Sequence, residues 1–216
     1  MDNLEKLIVF YRGYFEGYKM AQSLKALDLA VEFHTGQRKG GSSEVTHQFE
    51  IVNLLIQLLH GHCEVKEMDD IIAAGFMHDV VEDYSDRYSL DDLSKDFDEK
   101  VCSIVKAVTK KLDYDKHSES DHKTYYGQIL KIPEAVIVKC GDRIQNIQSI
   151  GGLKLDRQKE YVDEVEEYFF PMIKKARRLY PVFFNLYAVL SEILKMQLKF
   201  VERIHELEDE VRELKK

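Results

Sequence analysis

The sequence predicts an all-α protein, and two observations carry this prediction. Apolar residues recur at steps of three and four along most of the chain, which is the spacing of one helical face. Only three prolines occur in 216 residues, at Pro133, Pro171 and Pro181, so few positions are barred from a helix. A chain of this length can bury a sizeable apolar core in one domain.

The first half of the chain is expected to supply three helices of the core. An apolar face runs over residues 20–34 and ends near Gly36, and another follows over 51–59, after a polar turn at 37–43. Residues 71–81 form an apolar run that predicts the central helix. Its small residues would let it sit close to its neighbours: Ala73, Ala74 and Gly75.

The second half begins with a helix-start signal. Ser89 followed by Asp92 resembles a capping box, and an apolar face follows over 101–108. Residues 113–122 are polar and are expected to form a mobile loop. Pro133 can open a further helix, which would carry Asp142.

The stretch 181–216 has no proline or glycine after Pro181 and predicts a long terminal helix. Ile204, Leu207, Val211 and Leu214 recur with heptad-like steps. This helix either folds back on the bundle or forms a dimer seam, so a homodimer is possible. We therefore expect a helical domain over 1–180 and a helical extension over 181–216.

Composition and charge narrow the classes of function. The 31 basic and 39 acidic residues give a formal net charge of −8, which argues against a dedicated nucleic-acid binder. Cys63, Cys102 and Cys140 lack metal-ligand spacing and are expected to be reduced thiols in the cytoplasm. The N-terminus has no basic start and no long apolar run, so neither a signal peptide nor a membrane span is expected.

His78 and Asp79 lie together inside an apolar stretch, where core packing gives no reason for them. His47 upstream and Asp142 downstream are candidate partners, since two imidazoles and two carboxylates can hold one divalent cation. Such a nitrogen and oxygen set favours Mn²⁺, Fe²⁺, Zn²⁺ or Mg²⁺, and Mn²⁺ is the first choice. A bound ion lowers the pKa of a coordinated water from about 15.7 towards about 7, so hydrolysis is its natural use.

Glu82 and Asp83 follow this pair by about one helical turn. Carboxylates at that distance could orient or deprotonate an attacking water. The alternative is a negatively charged helix end on the surface. The nearby histidine and aspartate favour the catalytic interpretation.

Separate segments of the chain match one known pattern. Residues 74–83 read AGFMHDVVED, residues 33–41 read FHTGQRKGG and are followed by His47, and residues 136–146 read VIVKCGDRIQN. Together with the VTK at 108–110, they resemble the HD superfamily of metal-dependent phosphohydrolases, and within it the alarmone hydrolase domain of Rel and SpoT proteins. The family's own patterns are AxLHDVVEDT, FHxGQxRxxGxPYxxH and VILIKLADRLHN.

The resemblance implies an HD-domain helical bundle and a role for each matching residue. It implies metal ligands at His47, His78, Asp79 and Asp142, a water-activating pair at Glu82 and Asp83, and substrate contacts at Arg38 and Asn146. The guanidinium of Arg38 can bind phosphate oxygens in pairs, and Lys39 adds positive charge. Lys139 and Arg143 are similar candidates, and the alternative for both is a solvated helix charge or an ion pair inside the bundle.

The sequence departs from the family pattern beside these residues. Ser43 and Glu44 stand where the family has Pro and Tyr, and Tyr84 stands where Thr is expected. None of these changes touches the expected ligands, so they bear on substrate identity more than on metal binding. Tyr125, Tyr126 and His122 are candidates for stacking on a base.

The resemblance implies hydrolysis of the 3′-pyrophosphate of guanosine tetraphosphate or pentaphosphate, usually with Mn²⁺. One alternative is the same chemistry on another small phosphorylated nucleotide, such as NADPH or a nucleoside phosphate. Another is a non-enzymatic binding module that keeps the fold for partner contact. The intact ligand set and the Glu82 and Asp83 pair argue against the last.

Overall fold

The computed structural model describes residues 3–36 and 43–214, and within this part of the chain the secondary structure is helical. Twelve α-helices follow one another, with 3₁₀ turns at Ile150–Gly152 and Pro181–Phe183 and a π-helical turn at Val165–Phe169. The α-helices are α1 Asn3–Tyr18, α2 Ala21–Phe33, α3 Glu44–Leu59, α4 Val65–Met77, α5 Val80–Asp83, α6 Leu90–Asp96, α7 Glu99–Val108, α8 Glu119–Ile129, α9 Pro133–Gln148, α10 Leu155–Glu164, α11 Phe170–Leu179 and α12 Phe184–Leu214. The all-α prediction is confirmed.

Helix α4 is the centre of the bundle. It packs against α2, α3, α7 and α9, and every residue from Met68 to Met77 is buried. The small residues Ala73, Ala74 and Gly75 lie in this stretch and allow the close packing. The helices approach most closely at the glycine, because a Cβ on Gly75 would lie only 3.0 Å from a methyl of Leu55 on α3.

The central helix begins and ends earlier in the chain than the sequence predicts. A continuous helix over 71–81 is wrong, because α4 ends at Met77 and α5 begins at Val80. A straight helix would point neighbouring side chains about 100° apart. The break at His78 and Asp79 removes that constraint, so both side chains can face one point.

The loop expected at 113–122 is shorter in the structure than the sequence predicts. Helix α8 begins at Glu119, where the Ser118 side chain accepts a hydrogen bond from the Asp121 backbone N–H. The sequence does not predict α8 because most of its residues are polar, so no apolar helical pattern is visible. By contrast, the capping box of Ser89 and Asp92 is present at α6, and Pro133 opens α9.

Helix α12 has two parts with different surroundings. Its first part packs on α9 and α11 through side chains that are buried there: Leu186, Tyr187, Leu190, Leu194, Leu198 and Val201. After Val201 every described residue is exposed except His205, which is half-buried. The boundary expected at 180 therefore divides a helix from the bundle that it covers, and a role in dimerisation stays a prediction.

Two further features bear on the protein's surroundings. No described helix combines the length and the apolar character that a membrane crossing requires. Cys63, Cys102 and Cys140 are free thiols.

Candidate metal centre

Three helices that meet at one leucine carry the candidate ligands. Leu55 of α3 contacts Gly75 of α4 with one methyl, and its other methyl would lie 3.3 Å from a Cβ on Gly141 of α9. Because both contacts occur at glycine, the three backbones approach closely. His47 lies two turns before Leu55 on α3, and Asp142 lies directly after Gly141.

The structure brings the four expected ligands together. One donor atom from each of His47, His78, Asp79 and Asp142 lies within 4.8 Å of the others. Asp142 Oδ1 lies 3.6 Å from His47 Nε2 and 3.7 Å from His78 Nε2, and Asp79 Oδ2 lies 2.9 Å from His78 Nε2. This cluster can hold one metal ion.

The chemistry of His78 fits a metal ligand. Its Nδ1 lies 2.8 Å from the carbonyl oxygen of Gly75 and donates a hydrogen bond to it, so in the neutral ring Nε2 holds the lone pair that a metal would take. Nε2 is buried, and although Asp79 Oδ2 lies 2.9 Å away, no described group forms a hydrogen bond of normal geometry with it. Burial lowers the pKa of His78, but the charges of Asp79 and Asp142 outweigh it and raise the pKa to about 10. The cluster thus attracts positive charge to this nitrogen.

Asp142 is held by two neighbours on its own helix. The Lys139 ammonium donates a hydrogen bond of 2.7 Å to Oδ2, and the Asn146 amide donates to Oδ1. Burial would raise the pKa of Asp142, but Lys139 and the two histidines bring it well below its usual value. Lys139 is itself buried, so its charge is directed at the carboxylate. A contact of Lys139 or Asn146 with substrate stays a prediction.

The two acidic residues after the cluster have different surroundings. Glu82 accepts hydrogen bonds from the Lys110 backbone N–H at 3.0 Å and from its ammonium at 3.3 Å. For Asp83, desolvation and then the charges of Asp79 and Glu82 raise the pKa to about 6. Glu82 is therefore held in place by Lys110, whereas Asp83 is the one with a raised proton affinity.

A cleft of about 730 Å³ opens in front of the cluster. Asp79, Asp142, Glu82 and Asp83 line one side of it. The rest of the wall mixes cationic and aromatic side chains, such as Lys110, Lys116 and Tyr168, with further carboxylates: Glu119, Glu160, Asp163, Glu164 and Glu167. Its volume suits a small phosphorylated molecule.

Arg143 borders this cleft but its charge is already engaged. Its guanidinium donates to both carboxylate oxygens of Glu164 at 3.1 and 3.3 Å and to the Tyr126 hydroxyl at 3.2 Å. It also stacks over the ring of Tyr161, 4.2 Å from the centroid. The structure therefore contains the ion pair that was the alternative for Arg143, and a substrate contact by this residue stays a prediction.

The candidates for base stacking also differ from one another. Tyr125 is buried and donates a hydrogen bond to the Val108 carbonyl oxygen. His122 lines the cleft and stacks on Tyr168 at 4.6 Å between ring centroids. Of the three residues, His122 is thus the one whose ring is at the cleft wall.

His34, which the sequence places at the end of an apolar helical face, was not predicted as part of the site. His34 is buried, and its Nε2 has no hydrogen-bond partner among the described residues. Burial lowers its pKa to about 4, so the ring is neutral. It lines a second cavity of about 180 Å³ together with His47, Asp79 and Asp83. Its place in the FHTGQ segment, just before the candidate substrate residues, was the available signal.

Arg38 and Lys39 lie outside the described residues. In the sequence they fall between Gly36 and Glu44, which are hydrogen-bonded to each other. The Glu44 backbone N–H donates to the Gly36 carbonyl oxygen at 3.1 Å, and the Glu44 carboxylate accepts from the Gly36 N–H at 3.2 Å. A Cβ on Gly36 would lie 2.7 Å from that carboxylate, so a larger residue here would displace the Glu44 side chain. The same carboxylate accepts a hydrogen bond of 2.8 Å from the Tyr84 hydroxyl.

A helical bundle whose site is built from histidine and aspartate side chains is typical of HD-domain proteins, and the comparison with known proteins supports this class. A model of the HD domain matches residues 26–179, and the chain belongs to this family. The prediction of an HD domain similar to Rel and SpoT proteins is confirmed.

Curated relatives carry related names. The chain is 31% identical to a "GTP pyrophosphokinase" of Streptomyces coelicolor over 78% of this chain and 20% of that protein. It is 25% identical to a "Guanosine-3′,5′-bis(diphosphate) 3′-pyrophosphohydrolase" of Aquifex aeolicus over 79% of this chain and 23% of that protein. It is 24% identical to the "Bifunctional (p)ppGpp synthase/hydrolase SpoT" of Escherichia coli over 90% of this chain and 28% of that protein. The chain thus spans between a fifth and about a quarter of these relatives' length.

Proposed function

We propose that this chain is a metal-dependent phosphohydrolase that removes the 3′-pyrophosphate of guanosine tetraphosphate or pentaphosphate, with Mn²⁺ as its metal. The observation that carries the proposal is the cluster of His47, His78, Asp79 and Asp142 at the end of a cleft that also holds Glu82 and Asp83. Relatives that match most of this chain are named as guanosine-3′,5′-bis(diphosphate) 3′-pyrophosphohydrolases, and these names support the proposed substrate class.

The proposal assigns a separate role to each group of residues in the site. A divalent ion bound at the cluster would supply an acidified water and would neutralise phosphoryl charge. Asp83 accepts the proton of the attacking water, since its proton affinity is raised and Glu82 is committed to Lys110. Lys139 keeps Asp142 ionised as a ligand. Arg38, Lys39, Arg143 and Asn146 are the proposed substrate contacts.

A second candidate is metal-dependent hydrolysis of a phosphate group from another small phosphorylated nucleotide, such as NADPH or a nucleoside phosphate, with release of orthophosphate. It is favoured by Glu44, which places a carboxylate beside the segment that carries Arg38 and Lys39. A negative charge there would change which groups the substrate can present. In either case the proposal places the protein in the cytoplasm, where such nucleotides are used.

The test is the release of pyrophosphate or orthophosphate by the purified chain, loaded in turn with Mn²⁺, Mg²⁺, Fe²⁺ and Zn²⁺. Guanosine tetraphosphate, NADPH, GTP and GDP are offered at equal concentration, with a His78→Ala variant as the matched control. We expect release from guanosine tetraphosphate, fastest with Mn²⁺, and none with the variant. Release only from another nucleotide would support the second candidate. A rate equal to the His78→Ala background on every substrate would refute both and leave a non-enzymatic binding module.

A further inference from the structure

An apolar stripe runs along the exposed side of α12 and continues past the bundle. It consists of Phe200, Ile204, Leu207, Val211 and Leu214, whose exposed fractions are 69%, 53%, 42%, 47% and 87%. The bundle lies on a different side of the helix, where Val201 is buried and the His205 ring hydrogen-bonds to Gln158 of α10 at 2.8 Å. The stripe is therefore free for contact along its whole length.

The helix beyond Val201 has little support of its own. Residues 202–214 span roughly 20 Å at 1.5 Å per residue. Most helical stability in proteins comes from packing of an apolar face, which this part of α12 lacks within the described chain. Its ion pairs are exposed, as in Arg203 with Glu206, and exposed pairs of this kind contribute little to stability. An apolar partner along the stripe would stabilise it far more.

The spacing of the stripe identifies the kind of partner. Ile204 and Val211 occupy a positions of a heptad, and Phe200, Leu207 and Leu214 occupy d positions. β-Branched residues at a with leucine at d favour parallel, two-stranded coiled coils. We propose that this stripe pairs with the same stripe of a second copy of this chain, as a parallel, in-register coiled coil.

The charges beside the stripe agree with this register. Arg203 is at a g position and Glu208 is at the following e position, so in a parallel pair Arg203 of each copy faces Glu208 of the other. Glu210 is at the next g position, and the next e position in the sequence is Lys215, which lies outside the described residues. Both pairings are attractive.

The acidic excess of the segment lies away from the seam. The remaining acidic residues occupy c and f positions, which face solvent in a two-stranded coiled coil: Glu202, Glu206, Asp209 and Glu213. This distribution favours self-pairing over a basic partner, because a basic partner helix would meet few of these carboxylates. The proposal is independent of the proposed enzymatic function.

The first test is the mass of the full chain in solution, measured by light scattering over a dilution series. We expect twice the monomer mass of 25.3 kDa for the native chain. Leu207→Asp should halve this mass, whereas Val182→Asp should not, because Val182 is an 80% exposed apolar residue away from the stripe. Circular dichroism verifies that both variants keep their helices. A native chain of monomer mass, or equal effects of the two variants, would overturn the proposal.

The second test establishes the direction of the pair. Val211→Cys places one thiol at an a position, and in a parallel, in-register pair the two introduced thiols meet. Mild oxidation should then yield a covalent dimer. Asp209→Cys, on the outer side of the helix, and the native chain with its three cysteines are the controls. Cross-linking of Val211→Cys no better than that of Asp209→Cys would refute the parallel seam.

Discussion

Tyr84 donates a hydrogen bond of 2.8 Å to Glu44, and this bond joins two parts of the candidate site. Tyr84 directly follows α5, which carries Glu82 and Asp83, and Glu44 opens α3 and holds Gly36. Both residues depart from the family pattern, and in this chain they contact each other. The bond therefore links the proposed catalytic pair to the segment that carries Arg38 and Lys39.

We expect Tyr84→Phe to weaken substrate binding more than catalysis. A hydrogen bond to a charged acceptor contributes about 1.5–3 kcal/mol, so its loss should raise KM on the order of tenfold with a smaller change in kcat. The measurement is steady-state kinetics with the substrate that the release assay identifies. Tyr88→Phe is the matched control, since its hydroxyl donates to Asp96 at 2.9 Å, outside both cavities. Equal changes in KM for the two variants would contradict this linkage.

Asp79→Asn should lose bound metal and most activity. A neutral amide is a poorer ligand than a carboxylate for a hard cation. Metal content per chain, measured after gel filtration, checks the expectation. Asp86→Asn, at an exposed position a few residues further on, should keep both metal and rate. If Asp79→Asn retains full metal content and full rate, the ligand assignment is wrong.

The double variant Glu82→Gln and Asp83→Asn should bind metal yet hydrolyse slowly. General base assistance is typically worth about 10²–10⁴ in rate. Of the two single variants, Asp83→Asn should cost more, because Glu82 is held by Lys110. Single-turnover rates and metal content are the measurements. Unfolding of the double variant, seen by circular dichroism, would indicate a structural role instead.

The rate should rise with pH through the pKa of Asp83, which is raised to about 6. A general base acts as its anion, so activity is lost as pH falls below this value and is complete above it. The expected slope of log rate is about one per pH unit on the acid side. Metal content measured at each pH separates this effect from loss of the ion. A profile that Asp83→Asn leaves unchanged in shape would exclude Asp83 as the titrating group.

Arg143→Met should destabilise the fold, because it leaves the half-buried Glu164 carboxylate without its partner. Removing one member of a buried pair costs about 3–5 kcal/mol, and removing both often costs little. We therefore expect Arg143→Met combined with Glu164→Met to recover most of the loss in urea unfolding. Lys195→Met, which breaks an exposed pair with Glu192, should leave the free energy of unfolding nearly unchanged. A large rise in KM with unchanged stability for Arg143→Met would instead support a substrate contact.

The sequence was informative where local chemistry decides the structure. The capping box at Ser89, the start of α9 at Pro133 and the gathering of His47, His78, Asp79 and Asp142 could all be predicted. It was uninformative where packing decides. The end of α4 at Met77 has no proline or glycine after it, and the burial of His34 depends on helices that are distant in sequence.

Contacts between substituted positions could not be read from the chain either. Glu44 and Tyr84 are forty positions apart, and each taken alone is only a deviation. Likewise the engagement of Arg143 by Glu164 needed the coordinates, since the sequence allowed both a free guanidinium and an ion pair.

Leu55 gives the core a direct influence on cation affinity. Since its two methyls set how closely α3, α4 and α9 approach, a bulkier residue at Gly75 or Gly141 would move donor atoms without replacing any of them. Tuning of the ion's affinity is thus open to substitutions deep in the hydrophobic interior. Conversely, an ion that clamps three helices together would resist their separation on heating, so thermal resistance and metal loading should rise and fall together.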